Sequence, residues 1–105
     1  MKRFIGLLMV IVLTGTGFCA TFSENYDEGY AKRLSGKYAE ALEDFENAKA
    51  IAPTNDKKAS TLIQIAECYQ GLGNPNEVLS AADFVLGMDD ISQLNIVSAN
   101  RAKAV

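Results

Sequence analysis

The sequence predicts an all-α protein built from antiparallel helix pairs, and three observations carry that prediction. Apolar residues recur at steps of three and four through most of residues 22–103, the spacing that lines one face of a helix. Helix-breaking groups interrupt the pattern at Ser35-Gly36, at Pro53 and at Gly71-Leu72-Gly73, leaving segments of ordinary helix length between them. Gly36 and Gly73 each open the second helix of a pair and lie 37 residues apart, so the same helix–turn–helix unit is written twice.

Residues 1–20 stand outside that pattern. Lys2 and Arg3 precede an apolar run over residues 4–13, broken only by Gly6, and the small, turn-prone Thr14-Gly15-Thr16-Gly17 follows, which is the layout of a secretory signal peptide. The run is about ten residues, short of the roughly twenty that span a bilayer. Cleavage after Cys19 puts Gly17 and Cys19 at the positions that require small side chains, and cleavage after Ala20 puts Phe18 at one of them. The expected mature chain of about 85 residues is therefore exported, to a periplasm or the extracellular space. Left uncleaved, residues 4–13 would tether it to the membrane, whereas lipidation at Cys19 is disfavoured because bulky Phe18 precedes the cysteine.

Residues 22–34 form the first expected helix, with Tyr26, Gly29, Tyr30 and Arg33 or Leu34 at helical spacing and Ser35-Gly36 as its stop. The second lies within residues 36–53 and has the clearest face: Tyr38, Ala41, Leu42, Phe45 and Ala48 on one side, Glu40, Glu43, Asp44, Glu46 and Lys49 on the other. Its alternation of large and small side chains suits close packing on a neighbouring helix.

Gly36, Tyr38, Ala41, Leu42, Phe45, Ala48 and Pro53 reproduce the second half of a tetratricopeptide repeat, G-x-Y-x-x-A-L-x-x-F-x-x-A-x-x-x-x-P. On these residues the chain resembles the tetratricopeptide repeat (TPR) family. The resemblance implies a short TPR-like α-solenoid: repeat 1 over about residues 22–55, repeat 2 over about 56–89, and a C-terminal helix over about 90–104, the whole forming one domain over residues 21–105. Gly29 falls at a position the family keeps small, whereas Asn25 and Lys32 depart from its aromatic positions.

In the third helix, over residues 57–70 behind a cap from Thr54, Asn55 or Asp56, Leu62, Ile65, Ala66 and Tyr69 match the family's first helix. Gly71-Leu72-Gly73 ends it. Asn74 caps the fourth, Pro75 fits its first turn, Glu77 reaches back to the cap, and Val78, Leu79, Ala82, Val85 and Leu86 form the buried face. Here Pro75 and Ala82 replace family aromatics, and the 37-residue spacing exceeds the family's period of about 34, an excess that the loop over residues 53–58 can absorb. In the last helix Ile91, Leu94 and Val97, with Ile96, supply the apolar stripe and Asp89 or Asp90 the cap. That helix either closes the apolar edge of the second unit or begins a third.

The side-chain inventory favours binding over catalysis. With no histidine the imidazole-dependent triads and the commonest zinc ligand are excluded. Cys68, the one thiol left after cleavage, can form neither an internal disulfide nor a structural zinc site, and its setting is that of a small buried side chain. Glu40, Glu43, Asp44 and Glu46 read as a solvated face rather than an acid–base pair. The formal charge of −3 becomes −5 once Lys2 and Arg3 leave with the leader, so there is no basic patch for nucleic acid.

No enzymatic activity and no cofactor or metal is therefore expected. The TPR resemblance implies a scaffold or interaction module whose first helices line a groove for a peptide or helix of another protein. Carried over by matched position, the partner-binding residues are Tyr26, Tyr30 and Arg33 in the first pair and Ile63, Glu67 and Gln70 in the second. The subgroup that grips a C-terminal carboxylate with lysines and asparagines is not matched, since Ser60, Ile63, Gln64 and Glu67 stand at those positions. The alternative is a tethered structural or assembly subunit that self-associates through its terminal apolar edge.

Overall fold

The computed structural model describes residues 20–104. The expected signal peptide over residues 1–20, and the alternatives of a tether over residues 4–13 or a lipid at Cys19, fall, but for Ala20, outside the described residues. Within them the chain is all-helical: α1 Phe22–Leu34, α2 Tyr38–Ala50, α3 Asn55–Gly71, α4 Pro75–Leu86 and α5 Gln93–Lys103.

Local chemistry accounts for most of the helix ends. Thr21 opens α1 with a capping box: its hydroxyl accepts from the Glu24 N–H at 3.1 Å, and the Glu24 carboxylate accepts from the Thr21 N–H at 2.8 Å. Thr54 caps α3 by accepting from the Lys57 N–H, so that helix starts at Asn55, two residues before the expected position. α1 and α3 end alike. Gly36 (φ +80°) and Gly73 (φ +73°) take the left-handed conformation that glycine adopts without strain. Around them the Gly36 and Lys37 N–H groups donate to Arg33 and Lys32 carbonyls, and those of Gly73 and Asn74 to Gln70 and Tyr69 carbonyls. Both turns are thus Schellman motifs, repeated at the 37-residue spacing.

Two caps differ from expectation. Pro75 occupies the first turn of α4, but Asn74 makes no side-chain cap bond, because the preceding turn holds it at φ −118°, ψ 79° rather than in extended backbone. Ser92, not Asp89 or Asp90, caps α5. Asp90 has φ 56° and supplies the left-handed step of the connection.

Each helix packs on the next in sequence, and α3 also touches α1 and α5. Inter-helix ties give the directions. Lys32–Asp44 and the Gly29–Phe45 approach join α1 and α2 antiparallel, Tyr38 lying over Gly71 does the same for α2 and α3, and the end of α5 at Ala102 and Lys103 beside the start of α4 at Pro75 and Val78 does so for α5 and α4. Asp56–Ser92 and Ser60–Asn95 pair α3 with α5 in parallel. Although α2 has the clearest sequence signal, α3 is the hub, contacting all four other helices and burying Ala59, Thr61, Leu62, Ile63, Ile65, Ala66 and Cys68.

Phe45 is fully buried and fills the space that Gly29 leaves. Thirty-seven residues on, Ala66 and Ala82 take those two places and both are buried. Three expected core residues are not core. Leu79 is 45% exposed, Leu94 73% and Val97 48%. α4 turns Ala81 inward instead, and α5 buries Asn95 and Ala99, with Ile91 and Ile96 half-buried.

Candidate functional site

The parallel placement of α1, α3 and α5 brings Arg33 of α1 beside Gln64 and Glu67 of α3, and Ile63, Glu67 and Gln70 of α3 beside Ser98, Arg101 and Ala102 of α5. Arg33, in the last turn of α1, reaches across to α3. Its Nε donates to Gln64 Oε1 at 2.7 Å, and its Nη1 lies 3.1 Å from Glu67 Oε1. The guanidinium also sits 5.0 Å from the Tyr30 ring centroid, within cation–π range. Arg33, Glu67 and Gln64 thus tie the first helices of the two pairs together, while Tyr30, 40% exposed, forms the outer wall of the cluster.

Tyr26 and Ile63, 37 residues apart, are both withdrawn from the surface. Tyr26 packs edge-on against Phe45 and beside Phe22, each at 5.6 Å between ring centroids. Burial pushes its hydroxyl pKa above the usual tyrosine value. Ile63 is 7% exposed and belongs to the core. Both side chains are taken up by packing within the molecule, Tyr26 on Phe45 of α2 and Ile63 in the core between α3 and α5.

Beside that cluster, Ile63, Glu67 and Gln70 of α3 meet Ser98, Arg101 and Ala102 of α5 around a groove of about 270 Å³. Ile63 lies at its base, and Gln70 and Arg101 are exposed. Ser98, Arg101 and Ala102 lie outside the expected site, because the resemblance supplies positions for two helix pairs only and α5 belongs to neither. A second groove, of about 350 Å³, runs between the turn after α3, the start of α4 and the end of α5, past Gln70, Pro75, Leu79 and Lys103.

The acidic face of α2 divides. Glu40, Glu43 and Glu46 are exposed, but the Asp44 side chain is 14% exposed and is held by Lys32 Nζ at 2.8 Å. Cys68 is buried, and loss of water around it raises its pKa to about 11, so it is a neutral thiol. Among the described residues no group of three or more histidine, cysteine, aspartate or glutamate side chains could hold a metal ion, and no helix is long and apolar enough to cross a membrane. What the side chains offer is hydrogen bonding, one ion-pair network and modest apolar area. Compared with protein-family models, curated proteins and solved structures, the chain matches none.

Proposed function

We propose that the chain is an exported, TPR-like helical repeat protein that acts without bond chemistry, holding a segment of another protein on the side formed by α1, α3 and α5. The observation that carries this reading is the line of accessible groups along parallel helices: Tyr30 on α1, Gln70 on α3 and Arg101 on α5, beside the partly apolar groove between α3 and α5. An aromatic ring and an arginine are the side chains that most often supply binding energy at interfaces. The repeated Schellman turns and the order of helix packing support the solenoid arrangement that the motif over residues 36–53 implies.

Arg33 has a different role in this reading. Engaged by Gln64 and Glu67, it sets the spacing of α1 and α3 and so the width of the surface, rather than donating to the partner. Capture from an envelope extract should therefore compare the wild-type chain with Tyr30→Ala/Gln70→Ala, whose positions are exposed. A protein retained by the first and lost by the second, with unchanged circular dichroism, supports the assignment. Equal retention by both removes this face from the proposal.

A further inference from the structure

The two terminal helices each leave one long side uncovered, and the two sides match. On α5 the outward residues are Leu94, Val97 and Arg101, with Leu94 73% and Val97 48% exposed. On α1 they are Asp27, Ala31 and Leu34, all exposed, with Leu34 at 65%. Each set follows helical steps of three and four, so each is a single stripe. The order along the helix is opposite in charge as well as in position: α1 is acidic at its start and apolar at its end, and α5 is apolar at its start and basic at its end.

We propose that a second copy of the chain docks its α1 antiparallel on α5, setting Leu34 against Leu94, Ala31 against Val97 and Asp27 against Arg101. One register satisfies all three pairs, because the steps from 34 to 31 to 27 and from 94 to 97 to 101 are the same. Charge supports this occupant. Glu24, Asp27 and Glu28 are exposed on α1, whose cations Lys32 and Arg33 are engaged by Asp44 and Glu67. The α5 sequence contains no acid, and its Lys103 is engaged by Asp83. Neither Asp27 nor Arg101 belongs to an ion pair among the described residues.

The antiparallel sense continues the alternation within the chain, where α4 and α5 already run in opposite directions. The contact joins unlike surfaces, so it is heterologous and extends into rows unless the rotation closes a ring. One helix-on-helix contact is smaller than a standard stable interface, so association is weak and concentration-dependent. It shares Arg101 with the groove between α3 and α5, but its apolar pairs at Leu34, Ala31, Leu94 and Val97 lie outside that groove, so association of the purified chain tests it separately.

Sedimentation velocity of the purified chain over a concentration series tests this with Leu34→Glu, which blocks α1, and Leu94→Glu, which blocks α5. Both positions lie at the surface, and circular dichroism checks that both variants stay folded. The wild type should grow past dimer with concentration, and each variant alone should stay monomeric. Mixed, the two variants should form a one-to-one dimer, since each retains the end the other lacks. At low salt Asp27→Arg and Arg101→Asp should each weaken association severalfold, and the double exchange should restore it. A wild type that stays monomeric overturns the proposal, as does a Leu34→Glu variant that still dimerises, because that association would not use the α1 stripe.

Discussion

Gly29 shows how a single position sets the spacing of a pair. A Cβ there would lie 2.9 Å from Phe45, whose ring is fully buried and has no room to retreat. Gly29→Ala should therefore cost about 1–3 kcal/mol of stability in denaturant titration, the range for overpacking a core. At Gly71 a Cβ would come even nearer to the Tyr38 ring, but that ring is half-buried and can swing outward. Gly71→Ala should cost less than Gly29→Ala despite the shorter approach, and the reverse order would show that Tyr38 is locked. Cys68 gives a second residue-level check. With its pKa at about 11, a thiol reagent at pH 8 should react slowly with the folded chain and quickly in urea; fast reaction of the native protein would contradict its burial.

Among the elements, α5 depends most on polar contacts. Its Asn95 side chain donates to Asp56 Oδ1 at 2.7 Å, the Asp56 carbonyl at 3.1 Å and Ser60 Oγ at 3.1 Å. The Ser92 N–H also donates to the Asp56 carboxylate, and these donors hold its pKa below the ordinary carboxylate value, the Ser92 bond foremost. Because the folded-state value is depressed, the stabilisation is complete above about pH 4 and is lost as pH falls through the lowered pKa. Hydrogen exchange should thus report loosening of α5 in acid before α3, with Asp56→Asn reducing that dependence. Asn95→Ala, which removes the side-chain bonds to Asp56 and Ser60, should cost about 1–3 kcal/mol. The same contacts explain why α1 through α4 were legible in the sequence and the face of α5 was not. Breakers and apolar spacing bounded the first four to within three residues, while on α5 the apolar stripe of Leu94 and Val97 faces outward. Asn95 turns inward because Asp56 and Ser60 supply its partners, a pairing across 35 to 39 residues that no local pattern reveals. Of the candidate site, the exposure of Tyr30 and Gln70 suits a surface role and Arg33 lies against Glu67, whereas the depth of Tyr26 and Ile63 was not legible, since equal spacing does not distinguish a buried position from an exposed one.

At the scale of the whole molecule, α3 couples the two pairs and the last helix. It touches every other helix, and Arg33 adds a tie from α1. The chain should therefore melt as one unit, with far-UV circular dichroism and Cys68 exposure following the same transition; separate transitions would mean that the pairs unfold independently. The central claim, that the side built from α1, α3 and α5 is where another protein is held, is tested most directly by photo-crosslinking in living cells. A photoreactive residue is placed at Gln70 on that side and, separately, at Glu43 on the exposed face of α2. The account predicts a discrete adduct from position 70 and none from position 43. Adducts of the same size from both positions, or from 43 alone, would contradict it.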